Sequence, residues 1–379
     1  MKLTEVADMI REAKAQPVET WPGYDFARIP FAVYDDNDVV YIDHPNPPEV
    51  RPQTLMAATS VDINGVDTAT IPLYLCTSPE AVLPIIYHEG FHVFQQTAFE
   101  KVPADMFTAM SYYPELDGDY RALCRLETDV LRREDWPVTR RLETLAALVA
   151  LRRQRLPHDS LLNYERFLER NESTASYVEQ KSRQKLFNIN PQLQEVGHGW
   201  TRFYQVGAAV AWMLDEILPG WTSQVEQGQA ISDILTDTWP NAEVDLKALD
   251  YERLLLEEQA AIAQTRQKLD AEIDAMQRDG LLRLRYPSSG QVFRGFHPSS
   301  MVSLGDGRIL HRDHFNLVLP NRGKVALSGV PVIDNVTQRE LQFASVPVTL
   351  DGEILSAKTD KVEIHLSGVT QADDGVYQL

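Results

Sequence analysis

The stretch YHEGFHVFQQ, Tyr87 to Gln96, decides how the rest of the chain is read. On an α-helix positions i and i+4 lie one above the other, so His88 and His92 leave the same face. Two imidazoles so placed can ligate one Zn²⁺, and Glu89 on the adjoining face can reach a water beside it. The plain alternative is an ordinary helix carrying three polar residues. The surroundings favour ligation. Ile85, Ile86, Phe91, Val93 and Phe94 make the segment an apolar helix, and it follows a predicted strand. Ser78-Pro79-Glu80 is a helix start, a hydroxyl cap followed by a proline where no N–H is needed. The active-site helix is therefore expected over about 79–98, with Pro84 as a second place for it to begin.

Outward from this helix the chain divides by composition. Before it, a short helix (Leu3 to Ala15) precedes strand-like pieces. Phe31 to Ile42 reads as a hairpin around an Asp/Asn turn, and Thr68 to Leu75 as a strand whose Pro72 suits a sheet edge. After it, helical periodicity continues over 119–134, 139–155, 159–187, 200–218 and 225–238, then through a long charged segment, 246–278. Leu255, Ile262, Leu269 and Met276 recur along that segment, the mark of a helix lying against the catalytic body. From about 286 glycine and proline turns separate short β-branched runs such as VALSGVPVI and KVEIHLSGV. The expected fold is α+β: a mostly helical catalytic domain with a small N-terminal β region (1–245), a helical connector (246–285), and an all-β domain (286–379).

The chain has 379 residues, 44% hydrophobic and 24% charged, enough for a catalytic domain and a smaller one. With 36 basic against 55 acidic residues its net charge is −19, which argues against nucleic acid or an anionic membrane surface as a partner. No signal-like apolar segment opens the sequence, and no apolar run approaches the ~18 residues of a membrane span. Cys76 and Cys124 read as buried free thiols. These features imply a cytoplasmic protein.

A zinc hydrolase needs a third protein ligand and an open fourth position. No histidine stands between His92 and His158, so an acidic ligand on a later helix is the other solution. RNESTASYVEQ, Arg170 to Gln180, offers Glu172 and Glu179 on one helical face, with small Ala175 and Ser176 allowing close approach.

His88-Glu89-x-x-His92 followed by Asn171-Glu172 resembles the gluzincin metallopeptidases, a group that includes thermolysin and the zinc aminopeptidases. The resemblance implies a zincin-like core holding one zinc per chain on His88, His92 and Glu172, with Glu89 as general base. Tyr204-Gln205-Val206-Gly207 is similar to the Tyr-x-x-Gly element of such enzymes, which implies that Tyr204 steadies the oxyanion; His198 is the competing donor. The pattern also departs from the family. Ser176 stands where thermolysin has an aspartate, so Glu179 is the candidate to orient a histidine ligand. The GxMEN substrate-amine motif of the aminopeptidases is absent. A peptide or protein is the implied substrate, and Thr68 to Leu75 the strand that would pair with its backbone. The alternative of another class is a catalytically silent zincin-like scaffold acting as an interaction module through its β domain.

Other candidates are weaker. His311-Arg-Asp-His314 reads as a surface loop in the β-rich region. There is no GxSxG elbow and no CxxC pair. The arginine pairs at 132–133, 140–141 and 152–153 read as solvated helix faces. Asp373-Asp374-Gly375-Val376-Tyr377 resembles the tyrosine corner of immunoglobulin-like domains, which implies a sandwich of that kind.

Overall fold

The structure is a computed structural model that describes residues 1–52, 54–101, 106–193, 196, 199–278, 280–287 and 292–379. Helix α1 (Leu3–Ala15) buries Val6, Ala7 and Ile10, spaced to fall on one face. The expected hairpin forms from β1 (Phe31–Tyr34) and β2 (Val39–Ile42). Its turn is closed by the Asp35 carboxylate, which accepts from the backbone N–H of Asn37 and Asp38. A second hairpin joins β3 (Thr59–Ile63) to β4 (Val66–Pro72) through Asn64-Gly65, both at positive φ.

These strands make one sheet in the order β2-β1-β4-β3. The strand expected over Thr68 to Leu75 is thus displaced and central. It runs parallel to β1 and antiparallel to β3, and Leu73–Leu75 turn into a 3₁₀ helix. Pro72 misled the edge assignment because β3 pairs only as far as Thr70, so a missing N–H at 72 breaks no bond to it. Proline marks the strand's end, and its flanks are occupied.

Helix α2 (Pro79–Ala98) starts where expected, the Ser78 hydroxyl accepting from the Ala81 N–H at 3.3 Å; Pro84 lies inside it. It packs across β4 and β3 and along a later helix, Thr174–Phe187. The middle of the chain continues with α3 (Met106–Ser111), α4 (Gly118–Leu131), α5 (Val138–Arg153), α6 (Asp159–Leu168), α7 (Thr174–Phe187) and α8 (Trp200–Ile217). Residues Glu169–Ser173 join α6 to α7 as a π-helical turn, so the expected helix 159–187 is continuous but widened in its middle. The expected helix 225–238 is instead α9 (Trp221–Glu226) and α10 (Ile231–Thr238), separated at Gly228, whose φ is +107°.

Arg152 corrects the reading of the arginine pairs as solvated. It is 1% exposed, its Nε 2.6 Å from Glu127, and it also pairs with Glu165; Arg202 of α8 pairs with the same Glu127. Tyr113 and Tyr120 donate to Glu165 as well. The cluster balances two guanidinium groups against two carboxylates, which is what permits such burial. It ties α4, α5, α6 and α8 together.

Helix α11 (Tyr251–Arg278) packs its first half on α4, with Arg121 2.8 Å from Glu258. Its second half places Leu269 and Met276 against Leu310 and Ile333 of the β region. From strand Leu281–Arg285 onward, the described residues form a six-stranded and a seven-stranded sheet. Leu284, Leu341 and Phe343 of one sheet meet Phe315, Leu317, Val325 and Leu366 of the other in a shared core. The fold is α+β, with an all-β C-terminal region.

Two details of the β region differ from expectation. Asp373 to Gly375 form the turn between strands Thr370–Gln371 and Tyr377–Gln378, which pair within one sheet. A tyrosine corner instead lies where the chain passes between sheets. His311 is a strand residue only 2% exposed, packed beside Phe296 and Phe315 in a strand whose last three residues are all buried. Cys76 and Cys124 are buried free thiols. Among the described residues no helix is long and apolar enough to cross a membrane.

Candidate metal centre

His88 and His92 leave α2 side by side, ring centroids 4.9 Å apart. Glu172, in the π-turn between α6 and α7, meets both: its Oε2 is 3.7 Å from each Nε2. One ligand atom from each of the three lies within 4.8 Å of the others. Two ligands at ~2.0–2.2 Å from a tetrahedral zinc stand about 3.3–3.6 Å apart, so small side-chain movements close this set on one ion. A π-turn adds a residue to the helix and rotates the side chains around it, which is how helices commonly aim a functional group.

Both rings have their far nitrogens held. His88 Nδ1 donates to Glu179 Oε2 at 3.2 Å, and Arg183 Nη2 donates to the other oxygen of Glu179 at 3.2 Å. His92 Nδ1 donates to Gln95 Oε1 at 2.7 Å. The Gln95 orientation follows from its own network: Nε2 donates to the carbonyls of Arg170 and Asn171, each at 3.0 Å, and to Thr174 Oγ1 at 2.8 Å. With protons on both Nδ1 atoms, each Nε2 lone pair is free to face Glu172 and a metal.

The site is rich in acidic groups. Glu89, Glu172 and Glu179 bring three carboxylates to this place against the one guanidinium of Arg183, leaving two negative charges uncompensated when all are ionised. Without a metal the protons redistribute. Burial, together with the fields of Glu172 and Glu179, outweighs the pull of His88 and pushes Glu89 up to about 8. Burial also opposes charge on His88, yet hydrogen bonds to Glu172 and Glu179 overcome it and hold that imidazole well above its ordinary range. Burial lowers His92. Glu172 stays below the usual carboxylate range despite burial because both histidines face it. The two-imidazole, one-carboxylate donor set is of the kind that suits zinc.

Glu89 itself is 7% exposed, and its Oε2 has no hydrogen-bond partner among the described residues. An orphaned buried carboxylate oxygen beside a metal-ligand set is the expected state of a base whose partner is a small molecule. The Tyr204 ring lies nearly parallel to His88, centroids 5.9 Å apart. Its hydroxyl accepts from Trp200 Nε1 at 3.2 Å and is in hydrogen-bond reach of Glu172. Burial first, and then the Glu172 charge, keep that hydroxyl protonated far above its ordinary range. Gly207, one turn on, is required by close approach: a Cβ there would lie 1.9 Å from Ser173 Oγ, which itself donates to the Phe203 carbonyl at 2.8 Å. The Ser173 side chain thereby fastens the π-turn to the backbone of α8, which fixes Tyr204 relative to Glu172.

The structure brings together His88, Glu89, His92, Glu172, Glu179 and Tyr204; His198 lies outside the described residues. Gln95 and Arg183 are additions that the sequence reading lacked. Gln95 sits three residues after His92 on the same helix, a spacing that could have flagged it. Comparison with protein-family models, curated proteins and solved structures finds no match to this chain.

Proposed function

We propose that the protein is a zinc-dependent peptidase that uses His88, His92 and Glu172 as metal ligands and Glu89 as general base. The observation that carries this reading is the convergence of the three ligand atoms with an unpartnered, buried Glu89 next to them. A purely structural zinc site has no use for such a base.

Zinc bound there supplies Lewis acidity to a scissile carbonyl and acidifies a water. The chain's own residues do the rest. Glu89 in its ionised form accepts the proton of the attacking water and returns it to the leaving amine. Tyr204 keeps its proton and donates it as a hydrogen bond to the oxygen that gains charge, a contact stronger in the transition state than in the ground state. Glu179 and Gln95 hold the two imidazoles with Nε2 available. Substrate backbone pairs with β3, the sheet-edge strand beside α2, in place of the occupied β4.

The testing experiment is hydrolysis of a mixed peptide library by zinc-loaded protein, compared with the same protein after chelation and after zinc is restored. Activity that is lost and regained supports the proposal, and no cleavage at full zinc occupancy refutes it.

A further inference from the structure

A cleft of ≈ 820 Å³ lies between the N-terminal sheet and the β region. On the N-terminal side it is lined by Tyr34 at the end of β1, Tyr74 in the 3₁₀ turn after β4, and Met56, three residues ahead of β3. The facing wall is the outer side of the six-stranded sheet. In strand Gly323–Ser328, Val325 and Leu327 are buried in the β core, so Lys324 and Ala326 point the other way. Asn316 and Glu363, the cross-strand partners of Ala326, share that outer side and line the cleft with it. The two walls meet at Gly295, which pairs with Asn316: a Cβ there would lie 3.3 Å from Met56 Cβ.

The volume falls within the ~300–1,000 Å³ of ordinary ligand sites, and the boundary between two regions of a fold is a favoured place for one. The chemistry of the walls narrows the ligand. Asp35, Asp36 and Glu363 stand there against Arg51 and Lys324, so the cleft has no cationic excess with which to hold a phosphate or a nucleic acid. Lys324 is already 2.9 Å from Glu363, and Asp35 accepts from its own turn. The rest is mixed in character. Tyr74 is 63% exposed, a large aromatic left in water at the cleft, and the Arg51 guanidinium lies over the Tyr34 ring at 4.9 Å. Aromatic faces, an amide side chain and paired charges together suit a peptide, whose side chains change in character along an extended backbone. Position agrees. Met56 places the cleft at one end of β3, the strand proposed above to pair with substrate backbone. On the other side, α2 packs across β4, whose Pro72 is registered with Tyr34. Burial, then Tyr74 and Glu89, keep the Tyr34 hydroxyl protonated well above its ordinary range against the pull of Arg51, so the cleft wall and the Glu89 carboxylate are electrostatic neighbours.

We propose that this cleft holds an extended segment of the substrate peptide, so that the β region forms one wall of the substrate site. The proposal deepens the peptidase reading and rests on it for the word substrate, but peptide binding in the cleft can be measured without turnover. The probe is an equimolar library of N-acetylated, C-amidated hexapeptides, titrated into zinc-loaded Glu89→Gln protein so that cleavage does not compete with binding. Backbone amide resonances of Asn316, Lys324 and Ala326 are followed. Ser356 is the control: it pairs with His365, the partner of Lys324, and so shares the outer side of the sheet but lies outside the cleft. The expected result is saturable shifts at the first three residues and none at Ser356. Ala326→Arg, which fills the cleft from the β side, and Tyr74→Ala, which removes an exposed ring from the other, are each expected to weaken binding at least about tenfold, the loss of one anchor. Ser356→Arg is expected to change nothing. With Glu89 intact, the same two cleft variants are expected to raise KM about as much while kcat and zinc content hold. No shifts at Asn316, Lys324 and Ala326, or unchanged affinity in both cleft variants, overturns the proposal. Binding in the cleft without any cleavage by zinc-loaded wild type removes the peptidase reading and leaves the peptide cleft standing. Cleavage whose KM neither variant moves does the reverse.

Discussion

Gln95 joins His92 to the turn that carries Glu172. Its Oε1 lies 2.7 Å from His92 Nδ1, while its Nε2 is shared among the Arg170 carbonyl, the Asn171 carbonyl and Thr174 Oγ1. A π-turn leaves main-chain carbonyls without their usual i→i+4 partners, and a buried carbonyl must find another. One amide thus fixes a histidine tautomer and stabilises the backbone of Glu172. Gln95→Leu removes both functions and is expected to weaken zinc binding ~10–100-fold. Gln95→Glu keeps an acceptor for His92 and loses only the donors to the turn, so a smaller loss is expected. Competition against a chelator of known affinity measures both. Equal losses in the two variants would show that the His92 contact contributes nothing.

Glu172 and Glu179 are predicted to differ in kind. Glu172 faces both Nε2 atoms, whereas Glu179 touches only the far nitrogen of His88. Glu172→Ala is expected to release zinc at micromolar protein, and Glu179→Ala to retain it with affinity reduced ~10–100-fold. Metal analysis after gel filtration reads this directly. The reverse order would mean that the ligand and its support have been exchanged.

Tyr204→Phe separates catalysis from packing. If the hydroxyl donates to the developing oxyanion, kcat falls on the order of 10²–10³ while zinc content and substrate binding hold. If the ring only packs on His88, the near-isosteric phenylalanine leaves kcat close to wild type.

The β region carries an acid-sensitive residue of its own. Burial, and then the charge of Arg294, depress His311 to about 3, against 6.5 for a free imidazole. Both ring nitrogens lack partners among the described residues. The unfolded chain therefore binds a proton near 6.5 that the folded protein refuses until about 3, so stability falls as pH drops through that window, by at most about 1.4 kcal/mol per unit. Urea unfolding at pH 7 and at pH 4.5 is expected to show a smaller acid loss in His311→Phe than in wild type. An unchanged difference between the two pH values would remove His311 as the cause.

What could be read in advance follows from which forces act locally. The i, i+4 placement of His88 and His92 is a property of any helix, and the Ser78-Pro79 start needs no tertiary help, so α2 and the shared face of its two histidines were legible. The hairpin of Phe31 to Ile42 was legible for the same reason, since Asp35 closes its turn within the turn. Features set by distant partners were not. The π-turn at Glu169–Ser173 is held from α2 by Gln95 and from α8 by Phe203, and no local residue announces it. Arg152 looked like one of several exposed pairs because Glu127, Glu165 and Tyr120 reach it only across helices. Pro72 and the Asp373 to Tyr377 stretch were each assigned from chemistry that fits two settings, strand end or sheet edge, hairpin turn or sheet-crossing corner. Pairing with β1 and within the β sheet decided between them.

The central claim is that Glu89 is a base serving a metal held by His88, His92 and Glu172, and one comparison tests it most directly. Zinc-loaded wild type and zinc-loaded Glu89→Gln, matched for metal content, are given the same peptide library. Glutamine keeps the shape and removes the proton acceptor, so the account predicts cleavage by wild type and a loss of ~10²-fold or more in the variant, with zinc unchanged. Equal cleavage by the two proteins, at equal zinc, contradicts it.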